Sequence, residues 1–225
     1  MDAKLDLIVI LDKSSSIGAD NFQHVRSFSK KLVDILPLSP TNSQISLITY
    51  NSVIENVFTL GESSDKILLK QTIDDIEYKG KGTYTGKALQ FTNKNTVSGR
   101  NPNLRLDNEN VKTMILLVTD GRSRDEDVVI STAAKLQQKV KDIFVVGVGD
   151  NVRQSELLKI ATSPDHVKNI ADYNSLMSIV SWLFKNDNCD RTCPWFCNDV
   201  VNFFFAWDID LCILKNRFEN FVTNF

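Results

Sequence analysis

Two unbroken apolar runs, Leu7–Leu11 and Met114–Val118, constrain this chain more than any other feature. Each has the length of one strand. Neither alternates polar with apolar residues, so both faces of each must be buried. Strands of that kind belong to parallel sheets covered by helices on both sides. The chain between and after them supplies the covers. Strand-like segments at Leu5–Leu11, Ile45–Tyr50, Ile54–Phe58, Met114–Val118, Ile143–Val148 and Val167–Ala171 alternate with amphipathic stretches. The expected fold is α/β: a Rossmann-like, doubly wound, mostly parallel six-stranded sheet with helices on both faces. The short gap between Ile45–Tyr50 and Ile54–Phe58 suits a hairpin, which makes one edge strand antiparallel.

The helical stretches carry their own punctuation. Phe22, Val25, Phe28, Leu32, Ile35 and Leu36 recur at helical spacing until Pro37 stops the run. Asp20 with Gln23, and Ser123 with Glu126, have capping-box spacing at two helix starts. Ser64–Ile76, a weaker Thr85–Thr96, a stretch from Ser123 to about Val140, Gln154–Ala161 and Ser175–Phe184 complete the helices. Gly99–Asn110 is polar and irregular, which predicts a surface loop.

The alternation stops near Lys185. Residues 1–186 therefore read as one domain, and 187–225 as a Cys- and Phe-rich C-terminal extension. All 4 cysteines lie in that extension, at Cys189, Cys193, Cys197 and Cys212. Four cysteines permit three pairings, and spacing does not choose among them. The spacing also permits zinc. The Phe-rich tail is compatible with packing on the domain, with the start of a truncated module, or with non-native sequence.

A chain of 225 residues with 42% hydrophobic residues can bury a core without disulfides. Its formal net charge of -2 argues against nucleic acid or an acidic membrane surface as the main partner, since no basic excess exists to neutralise phosphates. No run reaches the ~18 apolar residues of a membrane span. The opening Met1-Asp-Ala-Lys lacks the basic and apolar regions of a secretory signal, so the stretch reads as a mature domain or an incomplete one.

Three loops hold small oxygen-bearing side chains. Asp12-Lys-Ser14-Ser-Ser16 follows the first strand, Gly82-Thr83-Tyr-Thr85-Gly86 precedes a helix, and Thr119-Asp120-Gly121 follows the central strand. In open parallel sheets functional loops gather at the carboxyl ends of strands. Convergence there would assemble two carboxylates, Asp12 and Asp120, with three hydroxyls, Ser14, Ser16 and Thr83. Hard oxygen donors suit Mg2+, Mn2+ or Ca2+ rather than zinc or copper. Each loop alone also reads as an ordinary turn; their joint occurrence is the specific signal.

These motifs resemble those of the von Willebrand factor type A domain, the integrin I-domain fold, over residues 5–185. Asp12-Lys-Ser14-Ser-Ser16-Ile-Gly is similar to that family's first metal loop, Gly82-Thr83-Tyr-Thr85-Gly-Lys-Ala-Leu89 to its second, and Leu117-Val-Thr-Asp120-Gly121 to its third. Phe144–Gly149 is similar to its fifth-strand ending. The resemblance implies a metal-ion-dependent adhesion site on Asp12, Ser14, Ser16, Thr83 and Asp120. Its remaining coordination position takes a Glu or Asp carboxylate from a partner protein, such as collagen or another matrix protein. It implies an extracellular setting, where disulfides are favoured. It also implies a final helix, carrying Leu176, Ile179, Val180 and Leu183, that shifts with the site; an ordinary amphipathic helix fits the same residues. Thr83 is assigned over Thr85, which has an alternative role as a helix N-cap.

Two other readings stand beside adhesion. One is an intracellular assembly module of the same fold. The other is a Mg2+-dependent phosphoryl-transfer enzyme, for which Lys13 is the nearest phosphate ligand. Neither a phosphate-loop nor a dinucleotide fingerprint is complete. His24 and His166 read as surface or structural residues. Arg122, Arg124 and Arg153 read first as solvated surface charges; the alternative is that they rim the site and help steer an acidic partner.

Overall fold

The computed structural model describes residues 4–98 and 101–185. The chain divides into two units, Met1–Val180 and Ser181–Phe225, and the sheet and candidate site belong to the first. Cys189, Cys193, Cys197, Cys212 and the Phe-rich stretch lie outside the described residues.

Six strands form one sheet: β1 Lys4–Asp12, β2 Gln44–Tyr50, β3 Ile54–Phe58, β4 Val111–Thr119, β5 Asp142–Val148 and β6 Val167–Ile170. Their order is β3-β2-β1-β4-β5-β6. All neighbours are parallel except β2 and β3. This is the fold class expected from the apolar runs. β1, β2 and β4 are buried nearly throughout, whereas the edge strands β3 and β6 expose their middles. The two runs that dominate the sequence are paired: Leu7 lies beside Met114 and Leu11 beside Val118.

Helices α1 Ala19–Ile35, α2 Lys66–Asp74, α3 Thr85–Phe91, α4 Glu126–Gln137 and α5 Gln154–Ile160 belong to the same unit, and α6 Leu176–Lys185 begins in it and runs past Val180. One core joins Ile8, Ile10, Ile48, Ile115, Leu117 and Val145 to Leu89 of α3, Leu136 of α4 and Leu157 of α5. On the other side Leu32 of α1 and Ile73 of α2 meet Val9, Ile45 and Leu47. The alternating residues of β1 thus face opposite cores, which is why its run cannot contain a polar residue between Leu7 and Leu11. In α6, Leu176, Ile179 and Leu183 are buried at helical spacing, while Met177 is exposed.

Local punctuation differs from expectation at four points. The cap of α1 is Gly18, with φ 78° and no side-chain hydrogen bond, so Asp20 sits inside the first turn and makes no capping box with Gln23. Ser123 and Glu126 form none either, because α4 begins one residue after Asp125. Thr85 is not a cap: it is the first residue of α3, fully buried, with Oγ1 3.1 Å from the Tyr50 hydroxyl. Thr92–Thr96 continues α3 as a π turn. Spacing specifies candidate caps, but backbone dihedrals decide which residue lies at the helix boundary.

Candidate metal centre

Strand order fixes where a site forms. From β1 the chain crosses to β2 on one side, and after β3 it crosses to β4 on the other. The order reverses between β1 and β4, and the loops leaving their carboxyl ends diverge there and leave a crevice. Asp12 ends β1 and Asp120 follows the last residue of β4. Both carboxylates therefore reach the same crevice.

The β1–α1 loop folds over its own aspartate. The Ser14 N–H donates to Asp12 Oδ1 at 2.8 Å, and the Thr119 hydroxyl donates to Asp12 Oδ2 at 2.9 Å. Ser14 Oγ lies 3.1 Å from Ser16 Oγ, and Ser16 Oγ donates to Asp120 Oδ1 at 2.8 Å. Four of the five expected donors are thus one connected polar chain. Thr83 joins from the third side: a Cβ placed on Gly121 would stand 3.9 Å from both Ser16 Oγ and Thr83 Oγ1. That shared space is a gap bordered by hydroxyls.

The loop carrying Thr83 is tied down on both flanks. The Ser15 N–H donates to the Lys81 carbonyl at 2.8 Å, and the Lys81 N–H donates back to Ser15 Oγ at 2.6 Å. The Gly82 N–H donates to Ser52 Oγ at 3.1 Å. Beyond Thr83, the Arg124 N–H donates to the Thr83 carbonyl at 2.9 Å. Asp125 then caps α3 from another element, accepting from the N–H groups of Gly86 at 3.0 Å and Lys87 at 2.8 Å. Ser123 Oγ accepts from the Thr85 N–H at 3.2 Å and donates to Asp125. Ser123, half of the expected capping box for α4, therefore joins Arg124 and Asp125 in holding the neighbouring helix and the Thr83 loop.

The electrostatics suit a cation. Asp12 is only 2% exposed. Burial pushes its carboxyl up to about 6, against hydrogen bonds from Ser14 and Thr119 that lower it. Burial also raises Asp120, opposed by the Ser16 hydroxyl. Among the described residues no Lys, Arg or His forms an ion pair with either carboxylate. The adjacent Lys13 is turned away onto Glu55 of β3, so it does not serve as a phosphate ligand at the crevice. Among the described residues no three His, Cys, Asp or Glu side chains gather, so a metal here would depend on hydroxyl oxygens. Two acidic and three neutral oxygen donors without a protein cation fit a divalent ion.

Four further residues shape the site without having been expected from sequence. Thr119 orients Asp12, and its position beside Asp120 at a strand end was the available signal. Tyr50 lies fully buried under Thr85, and burial with the nearby Asp12 charge holds its phenol well above the ordinary range. Tyr173 is raised likewise by burial, Asp120 and Asp12, and its hydroxyl lies close enough to Asp120 to help hold that carboxylate. Glu156 of α5 accepts from the Ser123 N–H at 3.2 Å, and burial raises its carboxyl. No local pattern marks the last three; only the fold brings them near. Arg153 pairs with Glu126, both partly exposed. His24 is exposed, and His166 stacks on Phe144 with ring centroids 4.0 Å apart, both as expected of residues outside the site.

A family model for the von Willebrand factor type A domain matches residues 6–182. Matrilin-1 of Gallus gallus is 33% identical over 208 residues, which is 88% of this chain and 39% of that protein. The collagen alpha-1(XII) chain of Notophthalmus viridescens is 29% identical over 186 residues, 82% of this chain and 19% of that one. Among solved structures, the mussel byssus proximal thread matrix protein 1 superposes with a TM-score of 0.72 at 27% identity, covering 80% of this chain and 46% of its own. Another structure of that mussel protein has zinc in its MIDAS motif, with a TM-score of 0.68 and 26% identity. The chain thus spans well under two thirds of the length of each of these relatives.

Proposed function

The chain belongs to the von Willebrand factor type A domain family, and on that premise we propose that it is a metal-ion-dependent protein-binding module of the extracellular matrix. Asp12, Ser14, Ser16, Thr83 and Asp120 hold a divalent cation, Mg2+ or Mn2+ foremost, with Ca2+ compatible. The cation supplies a Lewis-acidic position for a Glu or Asp carboxylate of a partner, such as collagen or another matrix protein. It bridges two proteins, and no covalent bond is made or broken. The module spans residues 1–186, with 187–225 as an extension.

One observation carries this reading: two buried carboxylates meet at the strand-order reversal, linked through Ser14 and Ser16, with no protein cation paired to either among the described residues. The relatives support the matrix setting through their names, as matrilins, a collagen and a thread matrix protein. The zinc-occupied motif of the mussel protein supports a divalent ion and makes Zn2+ a necessary competitor in any test.

The test is calorimetric titration of metal-free chain with Mg2+, Mn2+ and Zn2+, beside Asp12→Ala and Ser14→Ala. We expect one site, lost in both variants while their folds persist. Unchanged titration of folded Asp12→Ala would sink the assignment. Pull-down of matrix proteins with and without chelator then tests the bridging role. Fully reduced cysteines in native protein would argue against the extracellular setting.

A further inference from the structure

The surface around the crevice is charged against the sign of the whole chain. The chain carries a formal net charge of -2. Yet the loops bearing the proposed ligands expose Lys81, Arg122 and Arg124. None of the three has a carboxylate at ion-pair distance among the described residues. Glu55 is paired with Lys13, Glu77 with Lys79 and Glu126 with Arg153, whereas Asp125 accepts backbone N–H groups at the start of α3 and has no cationic partner among the described residues.

Lys81 is held there at a conformational cost. Its φ is 85°, a left-handed value found in no other non-glycine residue described. Glycine adopts that region freely, and a side chain with a Cβ does not. The two neighbours, Gly80 and Gly82, are glycines; the strained position between them is a lysine. Four hydrogen bonds hold it: Asn51 Nδ2 to the Gly80 carbonyl at 2.5 Å, the two Ser15–Lys81 bonds, and Gly82 N–H to Ser52. Such strain persists where the surroundings impose it, and it gathers at functional positions. Arg124 is placed as firmly. Its stem crosses Gly82 so closely that a Cβ there would stand 3.0 Å from Nε.

We infer that the partner's metal-binding carboxylate lies within a run of acidic residues, whose flanking side chains meet Lys81, Arg122 and Arg124. The inference rests on the metal-site reading and names its partner chemistry: an acidic peptide segment. Two carboxylates already balance a divalent ion, so the three cations outnumber Asp125 on the loops that bear the proposed ligands and steer an acidic segment toward them.

The test uses the full chain in Mn2+ and two fluorescent peptides, read by anisotropy. One peptide holds a single Glu between Gly-Ser flanks; the other holds the same Glu between Asp flanks. The acidic flanks should tighten binding at least tenfold at low salt, with most of that gain lost at high salt. Lys81→Gly and Arg124→Gln should each weaken the acidic peptide about two- to fivefold and leave the neutral one unchanged. Lys81→Gly should also hold or raise the melting temperature, since glycine relieves the left-handed strain; a purely structural lysine would give no affinity change. Equal affinity for both peptides overturns the cationic rim and leaves the metal site standing. Binding of neither peptide overturns both readings. Capture of heparin that chelator does not affect, with acidic-peptide binding equally indifferent to chelator, would make the face a polysaccharide site and overturn the peptide inference.

Discussion

Ser16 Oγ donates to Asp120 Oδ1 at 2.8 Å, joining residues 104 positions apart in sequence. The bond exists because β1 and β4 are neighbours and their loops leave the sheet at the same end. Ser16 is exposed, so its removal costs the fold little. Ser16→Ala should shift unfolding by less than about 1 kcal/mol. It should weaken metal binding at least tenfold by calorimetry, since the proposed site loses a hydroxyl ligand that also orients Asp120. A titration matching the native chain would remove Ser16 from the ligand set.

Acid should act oppositely on the metal-free and metal-loaded chains. The Asp12 carboxyl rises from 3.8 to about 6 on folding. Between those values the folded chain holds a proton that the unfolded chain has lost. Stability of the metal-free chain therefore increases as pH falls through that window, by up to ~3 kcal/mol from Asp12 alone. Burial of Asp120 and Glu156 acts in the same direction. A cation needs the ionised carboxylate, so its stabilising effect should fade below about pH 6. Thermal unfolding with and without Mg2+ across pH checks this; a metal-induced shift independent of pH would contradict it.

Asp125 and Glu126 are adjacent acids with different duties. Asp125 accepts from Gly86 and Lys87 and so caps α3, whereas Glu126 makes a half-exposed pair with Arg153. Asp125→Ala should cost about 1–2 kcal/mol, as other lost caps do. Because α3 follows Thr83, metal affinity should fall with it. Glu126→Ala should cost less than about 1 kcal/mol and leave metal binding intact. Denaturant unfolding of the two variants separates these outcomes.

The amino end of β1 carries a different pair. Asp6 is wholly buried and accepts from the Arg105 backbone N–H at 3.1 Å and Nε at 3.1 Å, while Arg105 Nη2 also donates to the Asn42 carbonyl at 2.7 Å. Breaking it should destabilise by about 3 kcal/mol, the low end for a broken buried pair. Arg105→Ala should nonetheless leave metal affinity unchanged, because the crevice lies at the opposite end of β1. Parallel unfolding and calorimetry check both halves of that expectation.

Much of this was legible before any coordinates. Leu7–Leu11 and Met114–Val118 had to be doubly buried strands because nothing polar interrupts them. The hairpin Ile45–Phe58 followed from two β-rich runs joined by a short gap. The candidate donors could be written down because Asp, Ser and Thr clustered at predicted element ends. The caps were less legible. Ser123, Asp125 and Glu126 have the composition of a helix start, but Asp125 turns to α3, a partner distant in sequence. Tyr50, Tyr173 and Glu156 gave no signal, since nothing in their neighbours ties them to Asp12 or Asp120.

The division has a physical basis. Which faces of a strand are buried, and which side chains can donate oxygen, are properties of short segments, and residue type and spacing determine them. Which strands become neighbours depends on the free energy of the whole sheet, and a local pattern does not encode it. The sequence alone therefore determined the strands, the covering helices and the oxygen chemistry. Only the tertiary order β3-β2-β1-β4-β5-β6 decided that Asp12 and Asp120 share one crevice. It also decided that Lys13 turns away to Glu55 and that Lys81 is held left-handed at the rim.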